Sequence, residues 1–206
     1  MPQRPESLSA AEAMQRLVDG NERYRRDRDE HPHNDAARRQ ELVSGQRPFA
    51  SLLGCADSRV PPEIVFDQGL GDLFVIRVAG NILDAAVLGS LEFASLQLGV
   101  NLIVVMGHRS CGAVQAAVEN ADLDGPATNS HVDDLIAAIR PAVLAVTRPG
   151  SDDPLEDSVR AHARGVAAAI RTSAPVLGGL AGDVLQVRPA YYDLESGEVA
   201  WLCDEP

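Results

Sequence analysis

The chain has 206 residues, of which 45% are apolar and 23% are charged, and this composition predicts one globular domain with a substantial core. Its formal net charge of -12 repels phosphate backbones, so we expect no nucleic-acid partner. The sequence has neither the run of roughly 18–20 apolar residues that crosses a bilayer nor the apolar segment of a signal peptide, so we expect no membrane association and a cytoplasmic location.

Residues 1–45 predict a helical arm. A capping box begins at Ser9, and the helix that it opens is expected to run to about Arg26. A second, short helix is expected from Asp35 to Val43. The first helix carries an apolar stripe, which in itself predicts packing on its own subunit; it consists of Met14, Leu17 and Val18.

Residues 46–206 predict an α/β core in which short apolar runs alternate with helical patterns, so that residues 1–206 form a single domain. The apolar runs predict strands at Phe49–Gly54, Leu73–Val78, Leu102–Gly107, Asp183–Tyr192 and Glu198–Leu202. The helical patterns cover Ala85–Leu98, Cys111–Glu119, Val132–Val146 and Leu155–Thr172, with loops at 122–129 and 148–154. This alternation predicts a mainly parallel sheet covered by helices.

Chemically competent residues follow two of the predicted strands. Cys55, Asp57 and Arg59 come after the first strand, and His108 and Cys111 come after the third. Ligands of open α/β sheets bind beyond the carboxyl ends of the strands, so these loops meet if the two strands are neighbours. Two thiolates and one imidazole suit zinc, and three protein ligands leave the fourth position open, as in catalytic zinc sites.

Each of these residues also has an ordinary explanation when it is taken singly. A cysteine after a buried strand is most often a small apolar side chain. A histidine at a strand end is most often a hydrogen-bonded loop residue, and a pair such as Asp57 and Arg59 is most often a loop salt bridge. The case for a metal site therefore depends on the set of residues and not on any single member.

Two segments resemble the signatures of the β-class carbonic anhydrases. Gly54–Val60 resembles their C-x-D-S-R motif, and Gly107–Ala113 resembles their G-H-x-x-C-G-A motif. Between them, Leu73–Asn81 is similar to the second strand and following loop of that family, and the similarity extends more loosely to the C-terminus. Arg109 departs from the family pattern, which has a small or acidic residue there, but it is not a ligand position.

The resemblance implies a sheet of four parallel strands with an antiparallel fifth strand at its edge, in a homodimer or a dimer of dimers. It also implies that the N-terminal helices embrace the partner subunit, so the stripe Met14, Leu17 and Val18 packs either on its own subunit or on the partner. It implies one Zn²⁺ per subunit, held by Cys55, His108 and Cys111, and the reversible hydration of carbon dioxide to bicarbonate. In that family role Asp57, kept ionised by Arg59, orients the zinc-bound hydroxide that attacks carbon dioxide. Two thiolate ligands predict a zinc-water pKa above the value of about 7 found with three histidines.

The resemblance also implies a substrate pocket. Gln46 and the backbone N–H of Gly112 are expected to donate hydrogen bonds to bicarbonate. Phe74, Ala79 and Phe93 of the partner subunit are expected to form apolar walls that suit carbon dioxide. Without the resemblance, Gln46 is an exposed loop residue and Phe74 is part of the core.

Three alternatives stay open from the sequence. Some relatives have a closed form in which the aspartate of C-x-D-S-R becomes the fourth zinc ligand, and Asp57 is able to do the same. Other proteins with this fold hydrolyse carbon disulfide or carbonyl sulfide with the same motifs. The third alternative is a non-catalytic zinc-binding regulatory module, although such a module needs neither Asp57 nor Arg59.

Overall fold

The computed structural model of the chain describes residues 7–123, 125–146, 153–173, 177–182 and 184–203. Within these ranges one sheet has the order β2-β1-β3-β4-β5, with parallel neighbours except for the antiparallel pair β4–β5. Its strands are Ala50–Gly54 (β1), Leu73–Arg77 (β2), Leu102–His108 (β3), Gln186–Tyr192 (β4) and Val199–Trp201 (β5). This arrangement confirms the predicted fold class, a mainly parallel sheet with an antiparallel edge strand, covered by helices.

The described residues also form eight α-helices and two 3-10 turns. The helices are Ala10–Arg25 (α1), Ala36–Glu41 (α2), Pro62–Val65 (α3), Ala85–Gln97 (α4), Gly112–Glu119 (α5), Val132–Val146 (α6), Pro154–Thr172 (α7) and Leu177–Leu180 (α8). The 3-10 turns are Leu42–Ser44 and Ala79–Asn81. None of the helices within the described ranges combines the length and the apolar character that a membrane span requires.

The predicted elements need correction in several places. The predicted second helix, Asp35–Val43, is shorter, because Asp35 caps α2 from outside and the chain tightens into a 3-10 turn after Glu41. Pro154, expected in a loop, opens α7, where a proline at the first turn loses no hydrogen bond. The rest of that predicted loop up to residue 152, and the predicted strand start at Asp183, lie outside the described residues. Helix α3, helix α8 and the turn Ala79–Asn81 were not predicted, because three or four residues carry no periodicity.

Strand β3 lies at the centre of the core. All seven of its residues are buried, and successive side chains belong to opposite apolar clusters. Leu102, Val104 and Met106 pack with one cluster, and Ile103 and Val105 pack with the other. Each such side chain contributes about 1.5–3 kcal/mol on burial, so the continuous apolar run is the signature of a strand covered on both faces.

Helix α1 is docked on its own subunit. Its capping box at Ser9 is present, and Leu17 is fully buried. The side-chain amide of Asn21 donates to the carbonyls of Val65 (3.0 Å) and Gly197 (2.8 Å), and its oxygen accepts the N–H of Val199 (2.9 Å). The arm is thereby attached to α3 and to the β4–β5 hairpin. Of the predicted stripe, Leu17 serves its own subunit, Met14 is half-buried and Val18 is exposed.

We predict opposite effects of the same substitution at two helical glycines. A Cβ on Gly20 of α1 would lie 1.9 Å from the carbonyl oxygen of Phe66, whereas a Cβ on Gly165 of α7 meets nothing within 4 Å. Gly20→Ala therefore lowers the free energy of unfolding by about 1–3 kcal/mol through overpacking, despite better helix propensity.

Gly165→Ala is the matched control, and it raises that free energy by up to about 1 kcal/mol. Urea unfolding at one fixed protein concentration measures both changes. A stabilising Gly20→Ala would show that α1 does not dock as described.

Candidate functional site

The sheet order brings together the two loops that carry the expected ligands. Strands β1 and β3 are parallel neighbours, so the residues that follow them lie at one edge of the sheet. Cys55 directly follows β1, His108 is the last residue of β3, and Cys111 is the N-terminal cap of α5. All three are buried, and their ligand atoms lie within 4.8 Å of one another. This is a cluster that can hold one metal ion.

Hydrogen bonding fixes the tautomer of His108. Its Nδ1 lies 2.9 Å from the carbonyl oxygen of Arg109, which can only accept, so Nδ1 carries the proton. The other ring nitrogen, Nε2, is buried and has no hydrogen-bond partner among the described residues. A buried acceptor that lacks a partner is costly, and a metal ion at the cluster would satisfy it.

The two thiols form a coupled pair. Their sulfur atoms lie 4.0 Å apart, and the Sγ of Cys55 also faces the backbone N–H groups of Gly80 (3.3 Å) and Asp57 (3.4 Å). A hydrogen bond from Cys111 is the largest cause that lowers the pKa of Cys55. The same contact, together with burial, raises the pKa of Cys111. The chain alone thus favours one thiolate, and a divalent cation would displace the second proton. Two thiolates and an imidazole nitrogen fit zinc.

Asp57 and Arg59 form a bidentate ion pair beside the cluster. The guanidinium Nε donates to Oδ1 (2.9 Å) and Nη2 donates to Oδ2 (2.6 Å), while the backbone N–H of Arg59 also donates to Oδ1 (2.9 Å). These bonds hold the pKa of Asp57 well below its usual range, with the Arg59 side chain as the largest cause. Oδ2 lies 3.9 Å from Nε2 of His108 and retains a free lone pair. Asp57 thus faces Arg59 and is not among the clustered ligands.

Arg77 supports the loop that follows β1 and carries Cys55 and Asp57, which we call the first ligand loop. The sequence did not predict a role for Arg77 at the site. Its guanidinium donates to the carbonyl of Cys55 (2.8 Å) and to the carbonyl of Asp57. The one feature of the sequence that could have indicated this role is that Arg77 is the single charged residue of the otherwise apolar strand β2.

Glu156 supports the loop between His108 and Cys111, which we call the second ligand loop. The sequence did not predict this role either. It accepts the N–H of Ser110 (2.8 Å) and the hydroxyl of Tyr191, while Arg59 donates to the carbonyl of Ser110 (3.3 Å). Ser110 has a φ of 53°, a left-handed conformation that such bonds must hold in place. Nothing in the sequence spacing links α7 to this loop.

The residues expected in a substrate pocket do not all lie beside the three clustered ligands. Ala79 lies in the 3-10 turn that contacts Cys55, and Gly112 begins α5 next to Cys111 with open space in front of it. Phe74 on β2 and Phe93 on α4 contact each other, with ring centroids 6.2 Å apart, and 49% of Phe93 is exposed. Gln46 is exposed and lines a surface cavity of about 300 Å³ whose walls include none of the three ligands.

Comparison with known proteins gives a consistent result. A family model described as carbonic anhydrase matches residues 50–199. The chain is 43% identical over 185 residues to carbonic anhydrase 2 of Mycobacterium tuberculosis, covering 90% of this chain and 89% of that protein. It is 40% identical over 187 residues to a carbonic anhydrase of Mycolicibacterium smegmatis, covering 91% and 90% of the two chains.

Solved structures agree with these sequence matches. The β-carbonic anhydrase CcaA has a TM-score of 0.69 and 28% identity, covering 91% of this chain and 94% of that one. The Coccomyxa β-carbonic anhydrase in complex with acetazolamide has a TM-score of 0.73 and 25% identity, covering 90% of this chain and 84% of that one. The chain therefore belongs to the β-class carbonic anhydrase family.

Proposed function

We propose that the chain catalyses the reversible hydration of carbon dioxide to bicarbonate and a proton, with one zinc ion per subunit held by Cys55, His108 and Cys111. One observation carries the proposal: three ligand atoms of buried residues lie within 4.8 Å of one another, and one of them is an acceptor that has no hydrogen-bond partner in the described part of the chain. Three protein donors leave a fourth tetrahedral position for a reactant. A zinc ion held there would supply the Lewis acidity that lowers the pKa of water toward neutral.

Asp57 orients the attacking oxygen in this proposal. Its Oδ2 keeps a free lone pair at the rim of the cluster, so it can accept a hydrogen bond from an oxygen nucleophile there. The bidentate grip of Arg59 keeps the carboxylate ionised and limits its rotation. An oxygen nucleophile that donates to Asp57 would have its remaining lone pair directed away from Asp57 and available for carbon dioxide.

Substrate contacts complete the proposed site. Carbon dioxide is small and apolar, so Ala79, Phe74 and Phe93 of the partner subunit suit its binding. Gly112 offers a backbone N–H to bicarbonate, and Gln46 offers its side-chain amide from an exposed position. Because the cavity that Gln46 lines includes none of the three ligands of its own chain, we propose that Gln46 acts across a subunit interface.

The outer side of β2 and several exposed apolar side chains support a homodimer. Strand β2 is at the edge of the sheet, and no described strand pairs with its outer side. Phe93, Ile64 and Leu70 are 49%, 56% and 43% exposed. Unpaired edges and apolar surface are normally covered, and a second copy of the chain would cover both here. Assembly of two such dimers remains part of the proposal.

No observation specifically favours either alternative function. Hydrolysis of carbon disulfide or carbonyl sulfide shares the motifs, but the similar proteins carry the name carbonic anhydrase. A non-catalytic module leaves the Asp57–Arg59 pair at the cluster without a purpose. The free thiols of Cys55 and Cys111 suit a reducing compartment, so we propose a cytoplasmic location.

We predict that Asp57→Asn retains zinc but lowers carbon dioxide hydration by about 100-fold, because the amide no longer accepts and orients as the carboxylate does. Stopped-flow hydration and metal content per chain measure the two properties. Asp134→Asn, at an exposed carboxylate of α6, is the control and changes neither. A zinc-loaded Asp57→Asn enzyme at the wild-type rate would refute the orienting role.

We predict that hydration accelerates between pH 7 and pH 8.5. Two thiolates offset the charge of a dication, so hydroxide forms at a higher pH than the value of about 7 found with three histidines. Asp57 does not cause this rise, because its pKa lies well below its usual range and it is ionised throughout. Stopped-flow rates across this range test the prediction, and a rate independent of pH contradicts it. No activity at either pH with zinc bound would overturn the proposed function.

We predict that Phe93→Asp converts the dimer largely to single chains, because it places a charge on apolar surface that the partner covers. Sedimentation velocity measures the mass. Leu123→Asp, at a similarly exposed residue elsewhere, is the control and leaves the mass unchanged. A wild-type protein that sediments as a single chain would remove the basis for the shared pocket.

A further inference from the structure

The turn Ala79–Asn81 touches one of the metal ligands. The N–H of Gly80 donates to the Sγ of Cys55 across 3.3 Å. Gly80 has a φ of +68°, and a Cβ there would lie 2.7 Å from Cδ1 of Ile139 and 3.0 Å from the Cβ of Ala113. The residue is therefore a glycine by necessity, enclosed by α5 and α6, and its own backbone has no side chain to hold it in place.

A buried histidine on α7 holds the other side of this glycine. His162 is 4% exposed, and its Nε2 lies 2.9 Å from the carbonyl oxygen of Gly80. Burial lowers the pKa of His162, so the ring is neutral near pH 7 and carries one proton. Because a carbonyl can only accept, that proton is on Nε2.

We propose that His162 is a positioning residue for the metal centre, which fixes the carbonyl of Gly80 and thereby aims the N–H of Gly80 at the Sγ of Cys55. The two hydrogen bonds lie on either side of one Cα, so anchoring the carbonyl limits rotation about the glycine. An N–H directed at a ligating sulfur orients the ligand and tunes its electron donation to the metal. This inference rests on the proposed metal centre.

Three substitutions separate hydrogen bonding from packing. His162→Leu fills the space but donates nothing, His162→Asn has an amide too short to reach Gly80, and His162→Gln places an amide N–H near the original Nε2. Zinc affinity is measured by chelator competition, and the Cys55 ligand is followed by thiolate-to-cobalt charge-transfer absorption with Co²⁺ in place of zinc. We expect the Leu and Asn variants to bind zinc about 10–100-fold more weakly and to shift that absorption, and Gln to restore most of both.

Ser158→Ala provides a control for loss of buried polarity on the same helix. The Ser158 hydroxyl is buried and donates to the carbonyl of Pro154 (2.6 Å), within α7. This variant is expected to lose stability while its zinc affinity and cobalt spectrum stay as in the wild type. If the Leu variant does not fold, the comparison of Asn with Gln decides.

The outcomes distinguish this inference from the function on which it rests. A wild-type protein that shows no thiolate-to-cobalt absorption would refute the proposed metal centre itself. A wild type that shows it, with Leu and Asn variants that lose only stability, would assign His162 to packing and overturn the positioning role. If the Leu and Asn variants change both the zinc affinity and the thiolate-to-cobalt absorption, and the Gln variant restores them, the positioning role of His162 is supported.

Discussion

The parallel ladder between β1 and β3 sets how closely the two ligand loops approach each other. In its register Gly54 lies opposite Met106, so Cys55 leaves β1 just as β3 continues to His108. A strand advances about 3.3 Å per residue, whereas a metal–ligand distance is defined to about 0.2 Å. A slip of one residue would also turn every β3 side chain to the other face. The two apolar clusters that fix this register therefore determine the ligand geometry as well as the core.

The loops are then held by side chains from several different elements. Arg77 of β2 binds the carbonyls of the first loop, and Arg59 crosses from the first loop to the carbonyl of Ser110 in the second. Glu156 of α7 holds the N–H of the same serine. A left-handed serine costs about 1–3 kcal/mol, so hydrogen bonds to both of its peptide groups are the kind of support that this conformation needs. Rigidity at the site thus comes from polar contacts placed on top of the apolar core.

The sequence predicts the strands and the residues at their carboxyl ends, because both can be recognised from a local apolar run. The strand-end rule related Cys55, His108 and Cys111 to one another, because a buried apolar run can be recognised and parallel strands share an edge. The supporting contacts could not be found in this way: Glu156 is 46 residues from Ser110, and His162 is 82 residues from Gly80. Only the packing of α7 on the sheet joins them, and no periodicity encodes which side chain of a helix meets which loop.

The charge at the site differs from the charge of the whole chain. With a dication bound, two thiolates would balance the metal and Asp57 balances Arg59, so these groups would sum to about zero, and Arg77 adds one positive charge, within a chain of net charge -12. Fixed charges act over about 8 Å at physiological salt, so distant carboxylates contribute little at the cluster. The guanidinium groups of Arg59 and Arg77 are nearby, and proximity to Asp57 and to both thiols raises the pKa of Arg59. A site whose fixed charges nearly cancel admits an uncharged substrate without an electrostatic penalty.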